Sequence, residues 1–194
     1  MADEFKILKI DAEIFSRIDG KSYKKNCTVS VENLRYLRVL HKDLSGKILN
    51  GELICNVKIA ADLIDIFKNL YAAGYPIEKI SLIDEYNADD ELSMRANNSS
   101  CFNFRFISYT TTVSLHGLGM AVDINPLYNP YIKMVDGKLS IEPETGAEYV
   151  DRDKKFPYKI EPDDICVKLF KAHGFLWGGD WQGKKDYQHF YRED

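Results

Sequence analysis

Residues 114–125 read Ser-Leu-His-Gly-Leu-Gly-Met-Ala-Val-Asp-Ile-Asn, and the second half alternates strictly. Met120, Val122 and Ile124 fall on one face of an extended segment, and Ala121, Asp123 and Asn125 on the other, as side chains of a β-strand do. Gly117 and Gly119 permit a tight turn between His116 and that strand, because glycine reaches backbone angles closed to other residues. Asp123 lies on the non-core face and can therefore point back toward His116.

Working outward, the flanking chain supplies helices and further short strands. Lys58–Ala73 is a strong helix: Ile59, Leu63, Ile66, Phe67 and Leu70 form an apolar stripe, Gly74 suits the left-handed position after it, and Pro76 prevents continuation. A helix is also predicted over Val31–Lys42, capped by Ser30, with Val31, Leu34, Leu37 and Leu40 recurring every three residues. Another is expected to open at Pro162, carry Asp163 and Asp164 in its first turn and stop at Gly174. Leu53–Val57, Ile80–Ile83 and Gln188–Tyr191 read as strands, and Tyr131–Ile141 as a hairpin turning at Asp136-Gly137. These elements make the class α+β: one domain, a small, mostly antiparallel sheet and flanking helices.

Composition narrows the function. The chain has 194 residues, 45% hydrophobic and 29% charged, which fits one globular domain. A net charge of −4 and a pI near 5.6 argue against nucleic acid as partner, since binders of phosphate backbones carry a basic stripe. The pairs Lys24-Lys25 and Lys184-Lys185 are read as solvated surface. No window approaches the ~20 apolar residues of a membrane span. Met1–Lys9 lacks the basic start, apolar run and cleavage site of a signal peptide. Cys27, Cys55, Cys101 and Cys166 form no CxxC pair and are read as small buried thiols.

Four histidines occur, and two keep unusual company. His116 stands seven residues before Asp123, and Asp186 three before His189. Two imidazoles and one carboxylate are the donor set of a catalytic zinc site, which keeps a further position open for water. Asp186 is then left over as a carboxylate placed to take a proton from water. Spacing alone carries little, because a histidine and an aspartate seven apart arise by chance in many proteins. His41 and His173 look structural.

The flanking identities carry more. Ser114, His116, Gly119, Ala121 and Asp123 match the pattern S-x-H-x-x-G-x-A-x-D, which resembles the signature of the zinc D-alanyl-D-alanine carboxypeptidases. That family also takes in D-Ala-D-Ala dipeptidases and L-alanyl-D-glutamate endolysins. Its second signature, an acid three before a histidine in an aromatic setting, resembles Trp177-Gly178-Gly179-Asp180-Trp181 followed by Asp186-Tyr187-Gln188-His189-Phe190.

The resemblance covers roughly 85–192. It implies the zinc DD-peptidase fold, one Zn2+ per chain held by His116, Asp123 and His189, and Asp186 as general base. It implies peptidoglycan or muropeptide substrates, and action at the cell wall or periplasm. It further implies a substrate-gripping arginine upstream: Arg105 in Asn97–Arg105, with Arg95 as the alternative. Ser114 and Trp181 are candidate substrate contacts, Ser114 being equally suited to a turn. Residues 1–84 are expected to be an N-terminal extension packed on a catalytic core of 85–194. Carboxypeptidase, L-alanyl-D-glutamate endopeptidase and a non-catalytic wall-binding module remain competing readings.

Overall fold

The apolar face of the alternating segment is where the core forms. Val122 and Ile124 are fully buried, and around them lie Phe170, Phe175, Trp177 and Phe190 from the C-terminal part. The same cluster includes Leu37, Leu53, Ile59, Leu63 and Phe67 from the first third of the chain. In the computed structural model, which describes residues 4–107 and 110–193, both ends of the sequence thus share one core.

The elements follow in the order β1 (Lys6–Lys9), α1 (Ala12–Ile18), β2 (Leu34–Lys42), β3 (Ile48–Asn56), α2 (Val57–Ala73), β4 (Lys79–Ile80), α3 (Asp90–Arg95), β5 (Asn98–Ser99) and β6 (Ala121–Asp123). Then come β7 (Tyr131–Val135), β8 (Lys138–Glu142), α4 (Ile165–Ala172), β9 (Leu176–Trp177), β10 (Lys184–Asp186) and β11 (His189–Tyr191). Three antiparallel three-stranded sheets run β1-β2-β3, β10-β7-β8 and β6-β11-β9, and β4 pairs with β5 in parallel. The α+β class and the mostly antiparallel pairing are as expected. No helix among the described residues is long and apolar enough to cross a membrane.

Helix α2 forms where its stripe predicts. Asn56 caps it by accepting from the Lys58 N–H at 3.1 Å, and Gly74 ends it at φ 68°. The hairpin β7–β8 turns at Asp136-Gly137, both with positive φ. All four cysteines are free thiols, and Cys55, Cys101 and Cys166 are buried.

Three expectations are corrected. The strand expected over Ile80–Ile83 is confined to Lys79–Ile80, and Ile83 opens a 3-10 turn. Residues 34–42 are strand β2, not a helix; Ser30 caps only a short 3-10 turn, Val31–Asn33. The strand is buried on both faces: Leu34 and Tyr36 enter one cluster, Leu37 and Val39 the other. Two-sided burial erases the period of two, and leucines three apart then imitate a helix. Helix α4 begins at Ile165, with Asp164 at the N-cap and Pro162-Asp163 in a turn closed by the Asp164 N–H on the Glu161 carbonyl. The Asp164 carboxylate is engaged instead by the Tyr75 hydroxyl, at 3.1 Å.

Phe190 holds the two-strand seam to the core, stacking on Phe170 at 4.2 Å with no exposed surface. Phe190→Ala should therefore lower unfolding free energy by about 3–5 kcal/mol in denaturant titration. A loss under about 1 kcal/mol would mean that this seam is not anchored there.

Candidate functional site

Each site residue arrives on a short strand or turn fixed from elsewhere. β6 and β11 pair antiparallel with Asp123 opposite His189 and Val122 opposite Phe190. Directly opposed residues share a face. One pair therefore enters the core and the other stands on the opposite side.

His116 comes from the turn before β6. The Gly117 N–H donates to the Ser114 hydroxyl at 3.0 Å, and the Met120 N–H returns to the Leu115 carbonyl. Gly119 sits at φ +69°, and a Cβ there would approach the Asn56 backbone nitrogen to 2.7 Å. Gly117 is packed as tightly, since its Cβ would fall 2.9 Å from the Arg105 carbonyl oxygen. Both glycines are therefore dictated by close backbone approach.

The result is a three-residue cluster in which His116, Asp123 and His189 each offer one ligand atom within 4.8 Å of the others. His116 Nε2 lies 3.1 Å from Asp123 Oδ2 and 3.1 Å from His189 Nδ1, which is 2.9 Å from Asp123 Oδ1. His116 Nδ1 is 2.7 Å from the Cys101 carbonyl. A carbonyl only accepts, so Nδ1 carries a proton, and in the neutral ring Nε2 is the nitrogen whose lone pair is left for a cation. Two imidazoles and a carboxylate with the outer nitrogen so engaged fit a tetrahedral zinc site with an open position.

The electrostatics agree. Burial disfavours protonated His116, yet the Asp123 charge outweighs it and raises the His116 pKa. Burial also opposes ionised Asp123, but His116 and His189 hold its pKa far below the ordinary carboxylate range. The cluster is poised to stabilise positive charge, whether proton or cation.

Asp186 ends β10, paired with Tyr131 of β7. Its pKa is pushed up to about 7, first by burial, with His189 pulling it down and Asp123 adding to the rise. Oδ1 is buried without a hydrogen-bond partner among the described residues. Gly178 makes room for it: a Cβ there would meet the Asp186 carbonyl oxygen at 2.6 Å and Cβ at 2.7 Å.

The other expected site residues divide. Arg105 is part-exposed, and its Nε lies 2.5 Å from Asp90 Oδ2. Arg95 is occupied on the surface by Glu91 and Glu144. Trp181 stands beside the cluster, its ring 5.8 Å from that of His189 and its N–H donating to the Tyr191 hydroxyl. Ser114 spends its hydroxyl on the turn, and Trp177 belongs to the core. The Cys101 carbonyl escapes sequence reading because any residue supplies one. Asp90 was hidden in a polar stretch without periodicity.

An α+β scaffold presenting this donor set beside a half-buried carboxylate, one of whose oxygens has no partner among the described residues, is that of a candidate metal-dependent hydrolase. Residues 108–192 match a peptidase family model described as D-alanyl-D-alanine carboxypeptidase. The family resemblance drawn from the two motifs holds over that segment, which contains the cluster and Asp186 and leaves Arg105 and Asp90 outside. The match supports a peptidase acting on D-alanine-containing peptidoglycan at the level of the family. No curated protein and no solved structure matches the chain.

Ligands must be deprotonated to bind a metal, so metal and proton compete. With the His116 pKa raised, that competition extends to higher pH than for an ordinary imidazole. Zinc added to metal-free protein at about pH 7 should release protons, and affinity should fall as pH is lowered from about 8 to about 6. Calorimetry in two buffers of different ionisation heat measures both. Equal affinity at the two pH values would exclude the imidazoles as ligands.

Proposed function

We propose that the protein is a zinc-dependent peptidase trimming D-alanine from the C-terminus of peptidoglycan stem peptides. The observation that carries the reading is the meeting of His116, Asp123 and His189 within 4.8 Å, beside Asp186, whose Oδ1 is buried without a partner among the described residues. The match over 108–192 supports the substrate class.

His116 Nε2, Asp123 and His189 Nδ1 would hold the cation, with the Cys101 carbonyl keeping His116 in the required tautomer. Bound zinc supplies a Lewis acid that polarises the scissile carbonyl. Asp186 takes the proton of the attacking water as the oxygen–carbon bond forms. Burial pushes the Asp186 pKa up to about 7 in the metal-free cluster, which makes it a stronger base than an ordinary carboxylate. The same proton passes to the leaving amine when the carbon–nitrogen bond breaks. Arg105 grips the terminal carboxylate of the substrate, and Trp181 lines the approach. Digesting defined muropeptides and weighing the products distinguishes loss of a terminal D-alanine from internal cleavage.

The two carboxylates separate ligand from base. Asp186→Asn keeps size and removes basicity, so zinc content should stay near one per chain while kcat falls by about a hundredfold or more. Asp123→Asn offers a neutral amide in place of an anionic ligand, and zinc should be lost first. Zinc loss in Asp186→Asn with retention in Asp123→Asn would reverse the two assignments.

A further inference from the structure

Asp90 is the first residue of α3, where an acidic side chain ordinarily serves the helix N-terminus. That duty falls to its neighbour: Asp89 caps the helix by accepting from the Leu92 N–H at 2.9 Å. Both oxygens of Asp90 point elsewhere. Oδ1 accepts from Asn103 Nδ2 at 3.0 Å, and Oδ2 meets Arg105 Nε at 2.5 Å.

The geometry points to Asp90 as a positioning residue that holds Arg105 by its Nε edge, leaving the two terminal nitrogens free to grip a substrate carboxylate. Among the described residues neither terminal nitrogen makes a hydrogen bond. A guanidinium fixed at Nε presents its opposite edge as a ready-made two-pronged donor. The contact is a close ion pair and not a well-directed hydrogen bond, so it restrains position more than it exhausts the donor.

The restraint is tied to the metal cluster. The Asn103 N–H donates to the His116 carbonyl at 3.1 Å, and Asn103 Nδ2 also reaches the Ala88 carbonyl at 3.2 Å. The Ser114 N–H donates to the Arg105 carbonyl at 2.9 Å. One ladder of contacts thus joins Asp90, Asn103, Arg105 and the turn bearing His116. Asp90 is delivered to it by Asn87 and Ala88, both with positive φ. Ala88 has no side-chain hydrogen bond with which to offset that conformation. Because the gripped group is a carboxylate, the discriminated feature is a free C-terminus as against a capped one.

This inference rests on the proposed role of Arg105. The test compares Asp90→Asn, Asp90→Glu, Arg105→Ala and the double variant Asp90→Asn/Arg105→Ala in the zinc-loaded full chain. Two substrates are used: a stem peptide ending in D-Ala-D-Ala and the same peptide as its C-terminal amide. Asp90→Asn should raise KM for the free acid roughly tenfold, the low end for outer-shell supports, with kcat, zinc content and Tm unchanged. Hydrolysis of the amide should not change, Asp90→Glu should restore part of the loss, and Asp90→Asn should add nothing in the Arg105→Ala background. An equal loss on both substrates, or a normal KM for Asp90→Asn where Arg105→Ala is impaired, overturns the role of Asp90 alone. A normal Arg105→Ala overturns both roles. Calorimetric binding of the two peptides repeats the comparison without turnover. A chain that binds the acid better than the amide yet cleaves neither sinks the proposed reaction and leaves this inference standing, and one that binds both alike ends it.

Discussion

The candidate site depends on the register of two strands three residues long. β6 and β11 bring Asp123 opposite His189 only because Val122 lies opposite Phe190. Strands so short have little pairing energy of their own. Their register is imposed by burial, since Val122 and Phe190 are both wholly inside. A slip of one residue would turn Asp123 into the core and Val122 into solvent, exchanging a favourable burial for an unpaired buried charge. The hydrophobic core therefore acts as the jig for the candidate metal-binding face. The bonds between Ser100 and Asp123, each N–H to the other's carbonyl, close the remaining edge of β6.

That jig is not built from the matched segment alone. Residues 100–105 thread between the N-terminal sheet and the site, with Phe102 N–H on the Ile54 carbonyl and Phe104 N–H on the Ser22 carbonyl. The same thread presents the Cys101 carbonyl to His116 and carries Arg105. Asn56 at the end of β3 donates its backbone N–H to the Gly119 carbonyl and its side-chain amide to the Leu118 carbonyl. One residue thus caps α2 and pins the turn that aims His116. Loosening the β2–β3 hairpin would reach the cluster through that joint and through the Phe102–Ile54 bond.

Much of the candidate site was legible in the sequence because the chain has only four histidines and the glycines flanking His116 have a mechanical cause. His116, Asp123 and His189 meet within 4.8 Å, and Asp186 is close enough to feel the charges of His189 and Asp123. The N-terminal sheet was less legible. In β2 both faces are covered, so burial left no alternation to read, and the Ser30 cap signal belonged to a 3-10 turn of three residues. The start of α4 was misplaced because acidic residues after a proline suit either a first turn or the turn before it. Tyr75, remote in sequence, decides between them by bonding Asp164. Asp90 and the Cys101 carbonyl act through long-range contacts that no local pattern encodes.

The two site carboxylates show how position assigns chemistry to identical side chains. Both Asp123 and Asp186 suffer burial, which favours the neutral acid. Asp123 has two imidazoles against its oxygens, and their electrostatic pull and hydrogen bonds reverse the effect. Asp186 feels His189 at longer range, feels Asp123 as a like charge, and has Oδ1 with no donor among the described residues, so burial prevails. A ligand must remain ionised and a base must exchange its proton near neutrality. The environments suit Asp123 to the proposed ligand role and Asp186 to the proposed base role without any difference in the residue itself. A cation between His116 and His189 would deepen the division at Asp123 by direct coordination. At Asp186 it would favour the ionised form from a distance, and the basic carboxylate would then be the resting state.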